Sequence, residues 1–153
     1  METEIRSLTL DSRAAGEGSL FLALHGAKED GADYVGDAAA RGAACVVTER
    51  ELSEVPCVVV PDAHEAAARL AAKWYGEPSK SMTVIGVTGT NGKTTTKYLI
   101  KQLLERCRGA KVGLIGTNRN MIGETALPAE RTTPDALTLQ RLLREMADAG
   151  CTH

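Results

Sequence analysis

Residues 84–96, VIGVTGTNGKTTT, decide how this chain is expected to fold. A β-branched run at 83–87 predicts a buried strand, a polar turn with two glycines follows, and the sequence then becomes helix-forming. Strand, glycine turn and helix in this order are the setting of a phosphate-binding loop, because glycines let the backbone approach a polyphosphate and the amides at the helix start attract it. Lys93 adds a positive charge near the terminal phosphates, and the Thr94 hydroxyl can bind the accompanying Mg²⁺.

The loop departs from the common G-x-x-x-x-G-K-[ST] pattern at one position. That pattern places a glycine at 87, where this chain has Val87, and the first glycine is Gly89 instead. The alternative is an ordinary glycine-containing turn beside a solvated lysine. The strand and the helix expected on either side favour the phosphate-binding interpretation.

Composition and charge exclude several classes of protein. The 153 residues are 43% hydrophobic and 25% charged, with a formal net charge of -2, which is typical of a globular protein. The sequence has no block of Lys and Arg that would indicate nucleic-acid binding. It also has no apolar run long enough to span a membrane, and its N-terminus is too polar for a secretory signal. We expect a cytoplasmic protein without nucleic-acid binding or membrane insertion. The four cysteines lack paired spacing and are expected to be buried or half-buried free thiols.

Residues 1–80 are predicted to form a small N-terminal α/β domain. Four short apolar runs predict strands, at 7–10, 20–24, 44–47 and 56–60. The last two are compact and apolar, so we expect both of their faces to be covered. A helix is expected at 34–41 with Asp33 as its N-cap, and the next helix should begin with a capping box formed by Asp62 and Glu65.

Residues 81–153 are predicted to begin a second domain, with a parallel sheet of the P-loop type. The segment 76–81, GEPSKS, is the expected boundary, because it combines a helix stop, a proline and small polar residues. The helix after the phosphate loop should bury one apolar stripe, formed by Ile100, Leu103, Leu104 and Cys107.

The remainder of the second domain predicts a strand, a hairpin and a helix. The strand is expected at 111–115, and residues 116–128 should form either an extended excursion or a hairpin around Gly123. Thr132 and Thr133 should cap the last helix, which buries Leu139, Leu142, Leu143 and Met146. Residues 151–153 lie where the next core strand should begin. So few elements cannot cover both faces of a parallel sheet, and we expect the chain to be a fragment.

Four stretches together resemble the Mur ligases, the ATP-dependent amide-forming enzymes that build the peptide of bacterial cell-wall precursors. They are LDSRAAGEGSLFLALHGAKEDGADY at 10–34, TGTNGKTTT at 88–96, VGLIGTN at 112–118 and ERTTPDALTLQ at 130–140. The stretches run almost the whole length of the chain in the family's order. The first one would fit the branch that adds the third amino acid or the branch that adds the terminal dipeptide. The pairing of the phosphate loop with GLIGT and TTPD resembles the former.

The resemblance implies that residues 1–80 hold the UDP end of the precursor. The positions that match contacts to the UDP-linked sugar are Leu10, Ser12, Ala27, Lys28 and Glu29. Arg13 has two interpretations, as a donor to the diphosphate or as a buried partner of Asp11 or Asp30.

Thr132 and Thr133 match positions that hold the sugar-peptide part of the precursor. A helix cap is a sufficient structural reason for at least one of them. Arg131 stands where relatives often carry asparagine, so its contact to the precursor is an open question.

The resemblance also implies ATP, Mg²⁺ and an acyl-phosphate mechanism. The γ-phosphate is transferred to the terminal glutamate of UDP-N-acetylmuramoyl-L-alanyl-D-glutamate, and the amine of meso-diaminopimelate or L-lysine then displaces phosphate. Lys93 is the expected catalytic residue, because it spreads the charge of the transferring group, and Thr94 is the expected metal ligand. The residues expected to bind ATP are Gly89, Thr90, Asn91, Gly92, Lys93, Thr94 and Thr95. A monomer is expected.

Three functions remain in competition. The favoured one is the front part of a cell-wall ligase that adds the third amino acid, with the 153 residues inactive by themselves. The second is another amide ligase with the same loop, either the dipeptide-adding relative or a folate polyglutamate synthetase, although the folate enzymes do not resemble residues 10–34. The third is a module that binds ATP or a UDP-sugar without catalysis.

Overall fold

The computed structural model describes residues 4–26, 29–53, 55–129 and 131–153. The chain divides into two compact units, Met1–Ala71 and Ala72–His153. Each unit contains a hydrophobic cluster of its own. The domain limit at residues 80 and 81 stays a prediction.

The first unit is built on a four-stranded parallel sheet, which confirms the α/β class. The strands follow one another across the sheet in chain order and are β1 (Ser7–Thr9), β2 (Ser19–Leu22), β3 (Ala43–Thr48) and β4 (Cys57–Val59). Helix α1 (Val35–Ala40) connects β2 to β3, and α2 (Ala63–Trp74) follows β4. Phe21 on β2 and Val46 on β3 pack with Val35 of α1 in the buried core.

The edge position of β4 corrects one expectation. We predicted that both faces of this strand are covered, but Val58 and Val59 are 52% and 46% exposed. The reason is its place in the sheet, where β4 pairs with β3 alone. Apolar composition did not distinguish an edge strand from a central one such as β2, which is buried at every position.

Two helix starts in the first unit differ from the predicted caps. Asp30, not Asp33, accepts a hydrogen bond from the Ala32 amide and caps a short 3-10 helix, Gly31–Tyr34, that precedes α1. At α2, the Asp62 carboxylate accepts from the Glu65 amide at 2.8 Å, as expected. The Glu65 side chain does not close a capping box, because it pairs with Arg69 one turn later.

The second unit contains two helices and a small antiparallel sheet. Its elements are α3 (Lys93–Arg108), β5 (Gly113–Leu114), β6 (Asn120–Ile122), β7 (Thr125–Leu127) and α4 (Ala136–Asp148). The predicted hairpin is confirmed, with Gly123 at φ +59° in the turn between β6 and β7. No helix among the described residues is long and apolar enough to cross a membrane.

The strand predicted at 83–87 is not formed. Among the described residues, 84–87 have no backbone hydrogen-bond partner, and Val84 and Ile85 are 59% and 49% exposed. Only Thr83 is paired, through its amide to the Thr152 carbonyl. A β-branched run adopts a strand only when a neighbour satisfies its backbone groups, and here that neighbour is missing beyond Thr83.

Residues 151–153, where the sequence predicted the start of a strand, form no regular strand but hydrogen-bond to two segments. The Thr152 carbonyl accepts from the Thr83 amide at 2.9 Å on one side. On the other side, the Thr152 amide donates to the Lys111 carbonyl, and the Gly113 amide donates to the His153 carbonyl at 2.8 Å. The C-terminal residues therefore begin to join the segments before α3 and after it into one layer.

The buried face of α3 differs from the predicted stripe. Leu103 and Cys107 are exposed, whereas Lys101 is buried and pairs with Glu105. Helix α4 buries Leu142, Leu143 and Met146 as expected, with Leu139 partly buried beside them. An apolar cleft of about 250 Å³ lies between these two helices and residues 82–87.

Candidate functional site

The glycine loop at 88–92 is an exposed turn that leads directly into α3. Gly89 has φ +143° and Gly92 has φ +77°, conformations that residues with side chains rarely adopt. Gly92 immediately precedes Lys93, the first residue of the helix. The structure thus brings the seven residues predicted to bind ATP together at one helix N-terminus.

Three backbone amides at the start of α3 are available to a ligand. The Thr96 amide makes the first hydrogen bond of the helix, to the Gly92 carbonyl at 2.9 Å. The amides of Lys93, Thr94 and Thr95 have no acceptor within the described part of the chain. The first turn carries no acidic residue, so the positive end of the helix dipole is not opposed locally. This arrangement can bind an anion such as a phosphate.

The Lys93 ammonium lies over the glycine loop. It donates to the Gly89 carbonyl and, at 3.5 Å, lies near the Thr90 carbonyl. A phosphate seated on the loop could replace these carbonyls as the acceptor of the ammonium. Among the described ion pairs, no carboxylate neutralises Lys93, so its charge is available at the loop.

Thr94 is half-buried in the first turn of α3, and its hydroxyl makes no hydrogen bond to another described residue. A free hydroxyl next to a phosphate site fits the role of a Mg²⁺ ligand. In the described ranges, no group of three or more His, Cys, Asp or Glu side chains is arranged to hold a metal. Any Mg²⁺ here would depend chiefly on the nucleotide's own phosphates.

Thr132 and Thr133 do not cap α4, contrary to expectation. Asp135 is the N-cap, and its carboxylate accepts hydrogen bonds from both the amide and the hydroxyl of Thr138. Both threonines lie in the exposed segment before the cap. The Thr132 hydroxyl is within 3.2 Å of the Thr117 hydroxyl, which donates to it. The structural explanation for these threonines as caps is therefore wrong.

A polar cleft of about 430 Å³ lies beside these threonines. It is bounded by the hairpin, by Pro128 and Pro134 and by α4, and its cationic lining residues are Arg131 and Arg141. Arg141 is paired with Glu145 at 2.7 Å. Arg131 lines the cleft and is adjacent in sequence to the exposed threonines, so a ligand that contacts Thr132 could also reach Arg131.

The predicted UDP-binding residues of the first unit follow the carboxyl ends of two strands. Leu10 and the buried Ser12 come directly after β1, and Glu29 lies in the loop after β2. Because β1 and β2 are parallel neighbours, both segments leave the same edge of the sheet. Ala27 and Lys28 lie outside the described residues. The Glu29 carboxylate is near Tyr34 and raises the pKa of its hydroxyl.

Arg13 is paired with Asp11, but neither is buried. The guanidinium donates to both carboxylate oxygens, at 3.0 Å from Nε and 2.8 Å from one terminal nitrogen, while the Arg13 side chain is 83% exposed. This bidentate hydrogen bonding lowers the pKa of Asp11 to about 2. The prediction of a partner was right for Asp11, whereas the prediction of burial was wrong.

Two side chains that the sequence did not single out hold the loop after β2. Arg50, which follows β3, pairs with Asp33 at 3.2 Å and lies 3.9 Å from Asp30. His64 of α2 makes a 2.9 Å hydrogen bond with the His25 carbonyl. These partners are 17 to 39 residues apart in the chain, so local sequence patterns do not predict their pairing.

Comparisons with known proteins match both units. Residues 4–75 match a family model described as "Mur ligase family, catalytic domain", and residues 87–153 match the "Mur ligase middle domain". The UDP-N-acetylmuramoyl-L-alanyl-D-glutamate--2,6-diaminopimelate ligase of Geobacillus thermodenitrificans is 48% identical over 148 residues, covering 96% of this chain and 30% of the relative. The chain thus spans about 30% of the length of the curated relatives it matches.

Solved structures give the same grouping. A UDP-N-acetylmuramoyl-L-alanyl-D-glutamate--2,6-diaminopimelate ligase has a TM-score of 0.74 at 31% identity, covering 97% of this chain and 30% of that one. A MurF ligase from Thermotoga maritima in complex with ADP has a TM-score of 0.52 at 33% identity, covering 68% and 24%.

Proposed function

The chain belongs to the Mur ligase family, and from that premise we propose that it forms the precursor-binding and ATP-binding part of a cell-wall ligase. The proposed reaction joins 2,6-diaminopimelate to UDP-N-acetylmuramoyl-L-alanyl-D-glutamate and converts ATP to ADP and phosphate. The names of the similar ligases supply these substrates. The observation that carries the proposal is the glycine loop with free amides and an unneutralised lysine at the start of α3. Because ATP is abundant in the cytoplasm, we place the reaction there.

The loop supports ATP as the phosphate donor. Three amides, the helix dipole and the Lys93 ammonium converge on one exposed turn, which suits the triphosphate. Thr94 would hold Mg²⁺, which when bound neutralises charge on the terminal phosphates. Lys93 is proposed to exchange the Gly89 carbonyl for a phosphate oxygen and to stabilise the charge on the transferring group.

The proposed chemistry has two steps. A glutamate carboxylate oxygen attacks the γ-phosphorus, the bond to the bridging oxygen breaks, and ADP leaves with that electron pair. The amine of diaminopimelate then attacks the acyl carbon and loses a proton, and the carbon–oxygen bond to phosphate breaks to leave the amide. None of the described residues is proposed as a nucleophile. Their proposed contribution to both steps is to position the substrates and to stabilise charge.

The residues that contact the precursor are proposed for each unit separately. Its UDP end would contact the segments that follow β1 and β2, at Leu10, Ser12 and residues 27–29. Its sugar-peptide end would contact Thr132 and Thr133. The exposure of both threonines supports this, since neither is used as a helix cap.

The proposal can be tested by exchanging segments with a relative. The first 30% of the Geobacillus thermodenitrificans ligase would be replaced by this chain, which matches it over 148 residues. Release of ADP should then require both UDP-N-acetylmuramoyl-L-alanyl-D-glutamate and diaminopimelate. The same hybrid with Lys93→Ala is the matched control and should lose ADP release while keeping its circular dichroism spectrum.

Two results would contradict the proposal. A folded hybrid that binds Mg-ATP and the precursor without turning them over would favour a binding module. A hybrid that uses the tripeptide precursor and D-alanyl-D-alanine instead would favour the dipeptide-adding branch of the family.

A further inference from the structure

We propose that Lys97 and Asn120 are positioning residues that hold the Thr117–Thr132 contact against the helix following the phosphate loop. The inference rests on the proposed function, in which Thr132 contacts the precursor. Neither Lys97 nor Asn120 was singled out from the sequence, and both lie in the second unit. If so, two side chains that are not among the proposed precursor contacts determine how well the precursor binds.

Lys97 connects α3 to the segment after β5. It lies four residues after Lys93, on the same side of the helix, and its ammonium donates to the Ile115 carbonyl at 2.9 Å. The next residue, Gly116, leaves the space that the ammonium occupies, because a Cβ at 116 would overlap with Nζ of Lys97. Lys97 therefore fixes the backbone at 115–116 and does not point at the glycine loop.

Asn120 connects the same backbone to the end of the hairpin. Its side chain is 5% exposed, and Oδ1 accepts from the Gly116 amide at 3.2 Å while Nδ2 donates to the Pro128 carbonyl at 3.3 Å. An aspartate at this position could still accept from the Gly116 amide, but it could not donate to the Pro128 carbonyl because a carboxylate has no N–H group. The buried amide thus links the turn at 116 to the segment that leads into Thr132.

Thr117 completes the connection. It follows Gly116 directly, and its hydroxyl donates to that of Thr132 at 3.2 Å. The turn at 116–117 is thus held by Lys97 from α3 and by Asn120 from β6, and it contacts Thr132 on its other side. Loss of either connection should free the turn, move Thr132 and leave the loop at 88–92 intact.

The test is a calorimetric titration of the protein with UDP-N-acetylmuramoyl-L-alanyl-D-glutamate and, separately, with Mg-ATP. Lys97→Met should weaken precursor binding about three- to tenfold, the effect of about one hydrogen bond, and leave Mg-ATP binding within about twofold. Asn120→Asp should do the same. Gly116→Ala, which displaces the Lys97 ammonium without removing its charge, provides a second route should Asn120→Asp fail to fold. Lys111→Met is the matched control, because Lys111 donates to the Ala149 carbonyl elsewhere in the unit.

A double-variant cycle separates positioning from general destabilisation. If Lys97 acts through Thr132, the Lys97→Met, Thr132→Ala double variant should lose no more affinity for the precursor than the weaker-binding single variant. The inference would be overturned if the losses of precursor affinity in the two single variants multiplied in the double variant. It would also be overturned if the Lys97→Met protein lost Mg-ATP binding and kept precursor binding. A folded wild-type protein that binds no precursor would instead overturn the proposed function, and the inference with it.

Discussion

The carboxylate of Asp135 accepts two hydrogen bonds from Thr138, one from its amide and one from its hydroxyl, each at 2.9 Å. This pair closes the first turn of α4 and meets the capping requirement that the sequence had assigned to Thr132 and Thr133. The two threonines are therefore not needed to start the helix. Their proposed role in binding the precursor can therefore be tested without disturbing the helix start.

Substitution of Asp135 should affect mainly the stability of the protein, whereas substitution of Thr133 should affect mainly precursor binding. Asp135→Ala should lower the free energy of unfolding by about 1 kcal/mol, because a helix loses its N-cap. Thr133→Ala should change stability by less than about 0.5 kcal/mol and weaken precursor binding. Urea denaturation and calorimetry measure the two effects. If Thr133→Ala lowered the free energy of unfolding as much as Asp135→Ala does, Thr133 would have a structural role and the prediction would be wrong.

Lys93→Ala should weaken Mg-ATP binding about ten- to a hundredfold, because a charged hydrogen bond to phosphate is lost. Precursor binding should stay nearly unchanged, since the hydrogen bonds of Lys93 to described residues are made to the glycine loop. Calorimetric titration with each ligand checks both statements, with Lys111→Ala as the control for loss of a lysine. Equal loss of both ligands would indicate misfolding or a single shared site.

Gly31 should be intolerant of a side chain, whereas Gly16 should accept one. A Cβ at Gly31 would lie 2.7 Å from the Leu24 amide nitrogen and 2.8 Å from its carbonyl oxygen, and backbone cannot easily yield. Gly31→Ala should therefore destabilise the protein by about 1–3 kcal/mol, as overpacking does.

Gly16 has no atom within 4 Å of the equivalent position, so Gly16→Ala is the matched control and should be nearly neutral. Thermal unfolding followed by circular dichroism compares the two. Equal stability of the two variants would show that the loop after β2 adapts more easily than its backbone contacts indicate.

Asp11 should titrate well below an ordinary aspartate. Its pKa is about 2 instead of 3.8, because the Arg13 side chain and backbone amide both donate to the carboxylate. A group with a lowered folded-state pKa stabilises the protein above its unfolded pKa and loses that contribution as pH falls through the folded value. The contribution of Asp11 should thus disappear between about pH 4 and pH 2.

Arg13→Gln should move the pKa of Asp11 back towards 3.8, which a carbon-detected NMR titration of the Asp11 carboxyl can follow. A wild-type pKa near 3.8 would show that the ion pair does not persist in solution.

Local sequence patterns predicted the parts of the site whose cause is local. The start of α3 follows from Gly92 and Lys93, and the turn at Gly123 follows from a residue that adopts positive φ without strain. The apolar face of α4 also follows from helical spacing. These features depend on neighbours within one or two turns of the chain, which is the distance over which periodicity and capping residues are informative.

Features that depend on distant neighbours were not predictable in the same way. The run at 83–87 has strand composition, yet only Thr83 finds a partner, in Thr152. Lys101 is buried on α3 through its pairing with Glu105, while the more apolar Leu103 is exposed. Asn120 is useful only because the Gly116 amide and the Pro128 carbonyl approach it in the folded hairpin.

The most direct test of the account is a calorimetric titration of the folded 153-residue chain. The titrants are UDP-N-acetylmuramoyl-L-alanyl-D-glutamate, a plain UDP-sugar and Mg-ATP. We expect the chain to bind Mg-ATP and to prefer the precursor to the plain UDP-sugar. A folded chain that binds Mg-ATP but ignores the precursor would contradict the assignment of this chain as the precursor-binding part of a cell-wall ligase.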